Sequence, residues 1–404
     1  MSDFGTELVR LMAECGVGVR QLARAVYVDP SHISNIRNGK DRPSAELAEK
    51  IDRQLGADVQ LAALGAPGRV VLPENEEIAA IELARRAAVT DVGNSTCEHI
   101  ELAVEDMATA YHRTPPAELL PRVRAKLTYL NGLLDSRATL AQRRRLLVSG
   151  GWLSLLAATV LTDLHDEAAA AAWLRTAAQL ADETGHAEIT AWTLETRAWI
   201  ELTAGRYRNA VQLAQGAQDA APKTGSAYIQ ATAQEGRAWA RLGDDARTRD
   251  ALVRVEALAS PLAVPDQPEH HYRYDPDKAE AYVVTTLAWA ADPAAEELAR
   301  VVATRFDSSS DGLPRYRRAT AARLDLAFAL SKRGKLDEAA GTALQAVTSG
   351  FLVPSNFWRA REIITAVGSR DIPEASDLAD AYRAELAAAR APATTGAEAR
   401  PELT

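Results

Sequence analysis

Two cysteines, Cys15 and Cys97, are all that the 404-residue chain carries, far apart and each in helical text. That excludes a disulfide framework and a paired-cysteine metal site, and it places the chain in a reducing, cytoplasmic compartment. Phosphate-cradling GxxxxGK[ST] loops, GxSxG elbows and HExxH zinc motifs are missing, so nothing in the sequence points to an enzyme, a cofactor or a bound metal. The amino terminus is polar and no apolar run approaches about eighteen residues, which argues against export and against a membrane span. Alternating apolar and polar runs are missing too, so no strand pattern competes with helical text and the fold class is all-α. What is present is a hydrophobic content of 47%, enough for sizeable cores in two or three domains.

The densest information lies in residues 19–44, VRQLARAVYVDPSHISNIRNGKDRPS. Leu22, Ala23 and Val26 share one face of a short helix, and Ile33 and Ile36 one face of the next. Ala23 is small where the two helices must approach, and Val28 is an apolar plug for the turn between them. Asp29 caps the second helix, and Pro30 in its first turn needs no amide hydrogen. With the isoleucines inward, Ser31, His32, Ser34 and Asn35 are left outside, short hydrogen-bonding side chains suited to base edges in a major groove. Gly39 stops the helix, and Lys40 and Arg42 follow where a phosphate backbone would lie.

Leu22-Ala23, Val26, Ile33, Ile36, Asn38-Gly39-Lys40, Pro43-Ser44, Ile51 and Leu55-Gly56 together resemble the Cro and phage-repressor (XRE) class of helix-turn-helix proteins over residues 6–64. The resemblance implies a five-helix DNA-binding domain that reads a double-stranded operator as a homodimer. It implies base contacts from Ser31, His32, Ser34 and Asn35, and phosphate contacts from Arg20, Gln21, Arg37, Asn38, Lys40 and Arg42. Two positions depart from the pattern: Val19 stands where a polar cap is common, and Arg37 where a glutamate often sits. The formal charge of −9 runs against DNA binding, but between residues 20 and 42 five cationic side chains oppose only Asp29 and Asp41. Such a reading head is weakly basic and needs two copies acting together.

A Pro- and Gly-bearing stretch, residues 66–77, separates this domain (1–65) from alanine-rich helical text at 78–390; residues 391–404 lack an apolar period and form a disordered tail. Helix breaks fall near Gly93, Pro115-Pro116, Gly185, Gly225, residues 260–276, Asp311-Gly312 and Gly350. GRYRNAVQLAQGA at 205–217 and GKLDEAAGTALQA at 334–346 share a frame: a turn glycine, a packing residue two later (Tyr207, Leu336), then alanines at plus five and plus twelve. The frame also fits His165 with Ala170 and Ala177, and Gly243 with Thr248, leaving room for a further unit near Ala291. Trp152 and Trp192 each stand thirteen residues before their turn residue. This pattern resembles tetratricopeptide repeats over residues 145–350, implying an α-solenoid of stacked helix pairs with a concave groove.

Arg197 and Arg237, both followed by Ala-Trp, could hold a carboxylate if they face that groove. His270-His271 read as part of a solvated inter-repeat loop, the tryptophans as core, and Arg143-Arg144-Arg145 as a solvated face. The resemblances together imply a bacterial transcriptional regulator whose repeat domain mediates dimerisation and senses a peptide or small molecule. The competing reading is an interaction adaptor that uses the groove for another protein.

Overall fold

In the computed structural model, residues 3–57, 61, 64, 76–263, 265, 269–307, 315–368 and 373–390 are described. Among them the structure is all-α and divides into two compact units, residues 1–87 and 88–404. The expected linker at 66–77 falls mainly, and the expected tail at 391–404 wholly, outside the described residues.

The first unit contains α1 (Asp3–Glu14), α2 (Val19–Ala25), α3 (Pro30–Arg37), α4 (Ala45–Leu55) and, in its last part, α5 (Glu76–Ala87). The fifth helix of the expected DNA-binding domain would fall between Ala57 and Gly65, mostly outside the described residues. Phe4, Leu8, Leu22, Val26, Ile33, Ile36, Ile51 and Leu61 form one buried cluster, with Val17, Val19 and Val28 packed against it. Val19, out of pattern for a polar cap, thus serves the core, and Gly18 precedes α2 with no side-chain cap. Asp29 accepts from the Ser31 amide at 2.7 Å at the start of α3. At its other end Gly39 takes a left-handed φ of +71°, and the amides of Gly39 and Lys40 return to the carbonyls of Ile36 and Asn35 at 3.0 and 2.9 Å. That double bond pattern is the glycine stop the sequence announces.

In the second unit, α6 (Asn94–Ala110) and α7 (Pro116–Leu134) pack on α8 (Leu140–Asp163), the first helix of an array of pairs. The partners are α8 with α9 (Glu167–Thr184), α10 (Ala187–Thr203) with α11 (Tyr207–Ala220), α12 (Ser226–Leu242) with α13 (Asp245–Ala259), and α14 (Pro276–Trp289) with α15 (Ala295–Asp307). Then come α16 (Tyr316–Lys332) with α17 (Leu336–Val347), and α18 (Phe357–Val367) with α19 (Pro373–Arg390). All five turn residues of the repeat frame, His165, Gly205, Gly243, Ala291 and Gly334, lie at positive φ, from 55° to 76°. The frame alanines Ala170, Ala177, Ala210, Ala217, Ala339 and Ala346 are all buried, as is Thr248. The frame is therefore a geometric one: a left-handed residue turns the chain, and small residues let the returning helix press close.

Four expectations need correction. Helix α8 is long and apolar enough to cross a membrane by composition, although no run of that kind was expected; 78% of its apolar window is buried, because it is surrounded by α7, α9, α10 and the turn at Pro354–Asn356. Cys15 lies just beyond α1 rather than inside a helix, with its thiol 3.3 Å from the Leu55 carbonyl. The loop between α13 and α14 is not solvated where it carries the histidines. Tyr272 is only 5% exposed and wedges between Trp152 and Trp192, ring centroids 4.8 and 5.4 Å away, while the His271 amide donates to the Ala108 carbonyl at 3.0 Å. The arginine run is not simply solvated: Arg145 holds Glu101 through two bonds of 2.7 Å, and Arg144 donates to the Thr184 carbonyl at 2.9 Å.

The array turns back on itself. Asp163, fully buried at the end of α8, accepts from the hydroxyls of Tyr111 at 2.7 Å and Ser355 at 2.5 Å, and Arg317 of α16 stands 3.7 Å away. Beside it, His165 Nε2 lies 2.8 Å from the Pro354 carbonyl. First and last pairs of the array are thereby joined.

Candidate functional site

Two regions have the chemistry of a site, one in each unit. In the first, Pro30 and the Asp29 cap set the start of α3, and the buried Ile33 and Ile36 fix its rotation, so Ser31 and Asn35 are exposed and His32 and Ser34 half-exposed. Two of these four side chains are already engaged. The Ser31 hydroxyl donates to Asp29 at 2.5 Å, and His32 Nδ1 lies 3.1 Å from an Asp41 oxygen. Ser34 and Asn35 have side chains without a hydrogen-bond partner among the described residues.

The two carboxylates of the segment keep their charge but are turned to local partners. Asp29 is held below its usual range by the Ser31 hydroxyl and amide, and Asp41 turns to His32 and to the Arg42 amide. Arg20, Arg24, Arg37, Lys40 and Arg42 form no ion pair among the described residues. Arg20, Gln21, Asn38, Lys40 and Arg42 are exposed and Arg37 half-exposed, flanking α3 at both ends. The out-of-pattern Arg37 thus adds an uncommitted cation rather than a local salt bridge.

In the second unit the first helices of successive pairs line a cavity of about 190 Å³. Thr159, Trp199, Arg237 and Thr285 reach it from the same register, each six residues before its turn residue. Gln230 and Lys278 stand thirteen before theirs, two helical turns further back on the same face. The walls are charged and buried. Arg318 grips Asp275 with bonds of 3.1 and 2.9 Å, and Arg359 pairs with Asp325. Burial pushes the Glu195 carboxyl up, although Gln230 donates to it at 3.0 Å, and pulls the Lys278 ammonium down to about 8.

Arg197 and Arg237 do not meet. Arg237 lines this cavity, whereas Arg197 faces a separate groove of about 750 Å³ formed with Trp358, Arg361 and Tyr382. Their forty-residue separation is not the repeat interval, since the two turn glycines, Gly205 and Gly243, are thirty-eight apart. The excess of two residues turns one side chain about 200° around its helix relative to the other. Of the tryptophans, Trp192 and Trp289 are core, but Trp199 lines the cavity and Trp358 the groove. Lys278, Glu195 and Gln230 were not singled out by sequence, though extending the tryptophan register from Trp152 and Trp192 to the next two turns lands on Gln230 and Lys278. Among the described residues, no group of three or more His, Cys, Asp or Glu is arranged to hold a metal ion.

Residues 3–64 match the sequence model of a family described as the helix-turn-helix domain. Residues 3–64 of the first unit are therefore a helix-turn-helix domain, which suggests DNA binding, while the match leaves the helix-pair array unassigned. No curated protein matches the chain, and no solved structure does.

Proposed function

We propose that the protein is a sequence-specific transcriptional regulator of the XRE class, acting in the cytoplasm of a bacterium on a double-stranded DNA operator. Helix α3 enters the major groove with Ser34 and Asn35 as its principal base readers and Ser31 and His32 beside them. Arg20, Gln21, Arg37, Asn38, Lys40 and Arg42 hold the phosphates on either side. The observation that carries this reading is the rim of uncommitted cations around the uncommitted Ser34 and Asn35, with both carboxylates of the segment engaged locally.

A single head of this size binds loosely, so the active form is a homodimer with two α3 helices about one DNA turn apart. The helix-pair array, tetratricopeptide-like in its turn frame, serves as the dimerising and sensing half, with domain limits at residues 65 and 78. An effector in its cavity changes the arrangement of the pairs and so the spacing of the two heads, which requires unequal affinity for the two arrangements.

Genome-wide occupancy of the parent and of a Ser34→Ala, Asn35→Ala double variant tests the DNA half. Discrete inverted-repeat sites that vanish in the variant are expected, each lost base contact being worth about 1–3 kcal/mol. Sites indifferent to the substitutions, or no discrete sites, would move the assignment to an interaction adaptor. One observation favours that second reading: the larger groove, where Leu174, Ile200, Phe357 and Leu386 lie among Arg175, Arg197 and Arg361, is shaped for a partner's amphipathic segment. An adaptor keeps its partner after the α3 substitutions.

A further inference from the structure

Among the buried charges of the array's cavity, most are answered from within: Arg318 by Asp275, Arg359 by Asp325, and Arg317 stands near Asp163. Two are not. Arg237 is 8% exposed, has no carboxylate within 4 Å among the described residues, and leaves its Nε without a hydrogen-bond partner. Its guanidinium is held instead by ring faces, 4.7 Å from the Tyr282 centroid and 4.9 Å from that of Trp289. Lys278, 6% exposed, spends one hydrogen on the His271 carbonyl at 2.8 Å and otherwise sits 5.3 Å from the Trp192 ring. Glu195, which shares the cavity, is joined to this group through Gln230, whose amide donates both to Glu195 and, at 2.5 Å, to the Tyr282 hydroxyl.

A buried cation with no carboxylate in contact is costly to keep, even with Glu195 acting on both from further off, and a fold that needed only stability would place an apolar side chain there. We infer that Arg237 and Lys278 form the anion-binding wall of a ligand site, and that its occupant is a small organic carboxylate, the size of an amino acid and not a peptide. The inference rests on reading the helix-pair array as the sensing half.

Each part of the chemistry follows from a named group. The Tyr282 and Trp289 rings place the Arg237 guanidinium in the cavity wall, and a guanidinium suits a planar carboxylate through paired bonds. Lys278 adds a second, point-like cation, and the Glu195 carboxylate with the unpartnered Gln230 carbonyl offers acceptors for an amino or hydroxyl group. Trp199 and Leu352 supply an apolar wall for the ligand's body. A volume of about 190 Å³ matches a ligand the size of an amino acid.

The test uses the full chain and simple probes: acetate, succinate and glutamate, against acetamide and against chloride at equal ionic strength. Tryptophan fluorescence and the melting temperature of the second unit are read together. A saturable response to at least one carboxylate, not given by acetamide or chloride, is expected. Arg237→Met and Lys278→Met should each weaken it on the order of a hundredfold, and Arg197→Met, in the separate groove, should leave it unchanged. Without ligand, Lys278→Met should melt higher than the parent, which also shows that it has folded. Carboxylates acting no differently from chloride and acetamide on the parent would overturn the assignment, as would an undiminished response in both Met variants. Operator binding is measured alongside. Carboxylate binding that leaves operator affinity unchanged preserves the site and removes its regulatory role, whereas operator binding without a carboxylate response removes the site and preserves the DNA reading.

Discussion

In the helix-turn-helix unit the recognition segment keeps Arg20, Arg24, Lys40 and Arg42 in water, and the interior is a cluster of aliphatic side chains with Phe4 and Met12, beside a buried Asp52 that accepts from the Leu61 amide at 2.8 Å. In the helix-pair unit the arrangement is inverted: Asp163, Glu195, Asp325, Arg237, Lys278 and Arg318 are buried along the array's inner face. The contrast separates two uses of charge. Surface cations cost little to maintain, are screened by salt and suit a long, uniformly charged partner such as DNA. Buried ones pay desolvation and return it only through fixed, specific partners, which suits one small ligand and a defined packing.

The comparison breaks most visibly at Asp163. Replacing it with alanine strands the Arg317 charge and removes the acceptor of the Tyr111 and Ser355 hydroxyls where the array's ends meet. A loss of roughly 3–5 kcal/mol is expected in the second unit. Calorimetry should place the whole loss in that unit's transition and leave the transition of the first unit where it was.

A smaller effect sharpens the contrast through pH. Burial holds His270 down to about 4, with Arg273 and Lys278 adding to it. The unfolded chain therefore takes up a proton near pH 6.5 that the folded one refuses, so stability falls as pH drops through this window toward 4. Buried Asp163, Glu195 and Glu269, with raised carboxyl values, work in the opposite direction as they take up protons in the folded state, so the test is differential. Relative to the parent, His270→Gln should lose about 1–2 kcal/mol less on going from neutral pH to about pH 5. The first unit has a single histidine, His32, at the surface, and should show no such difference. An unchanged acid profile in the variant would mean that His270 is already hydrated.

The smallest effect belongs to the first unit. Tyr27, in the turn between α2 and α3, holds a left-handed φ of 59° while 91% exposed, so no packing compensates the strain. Asparagine tolerates that conformation, and Tyr27→Asn should stabilise the helix-turn-helix unit by about 0.5–1 kcal/mol. A destabilised variant in thermal melts would reveal a contact made by the tyrosine ring.

By itself the sequence determined what local chemistry dictates. The α3 cap at Asp29, the stop at Gly39 and the inward Ile33 and Ile36 follow from capping, glycine freedom and helical period. The turn frame at residues 165, 205, 243, 291 and 334 was legible for the same reason, because one left-handed residue and its small neighbours recur at each pair. Tertiary structure alone decided which polar side chains of the array meet. The two-residue mismatch that sets Arg197 and Arg237 about 200° apart can be counted in the sequence, but that one lines the cavity and the other a separate groove follows only from the stacking of the pairs. His270 and Tyr272 lie in a loop whose Pro and charges read as solvated, yet both are buried, Tyr272 because its ring fits between Trp152 and Trp192 from two other helices. Helical period fixes which face a residue takes; which distant residue shares the space beyond that face depends on how the pairs stack, and no local pattern encodes that.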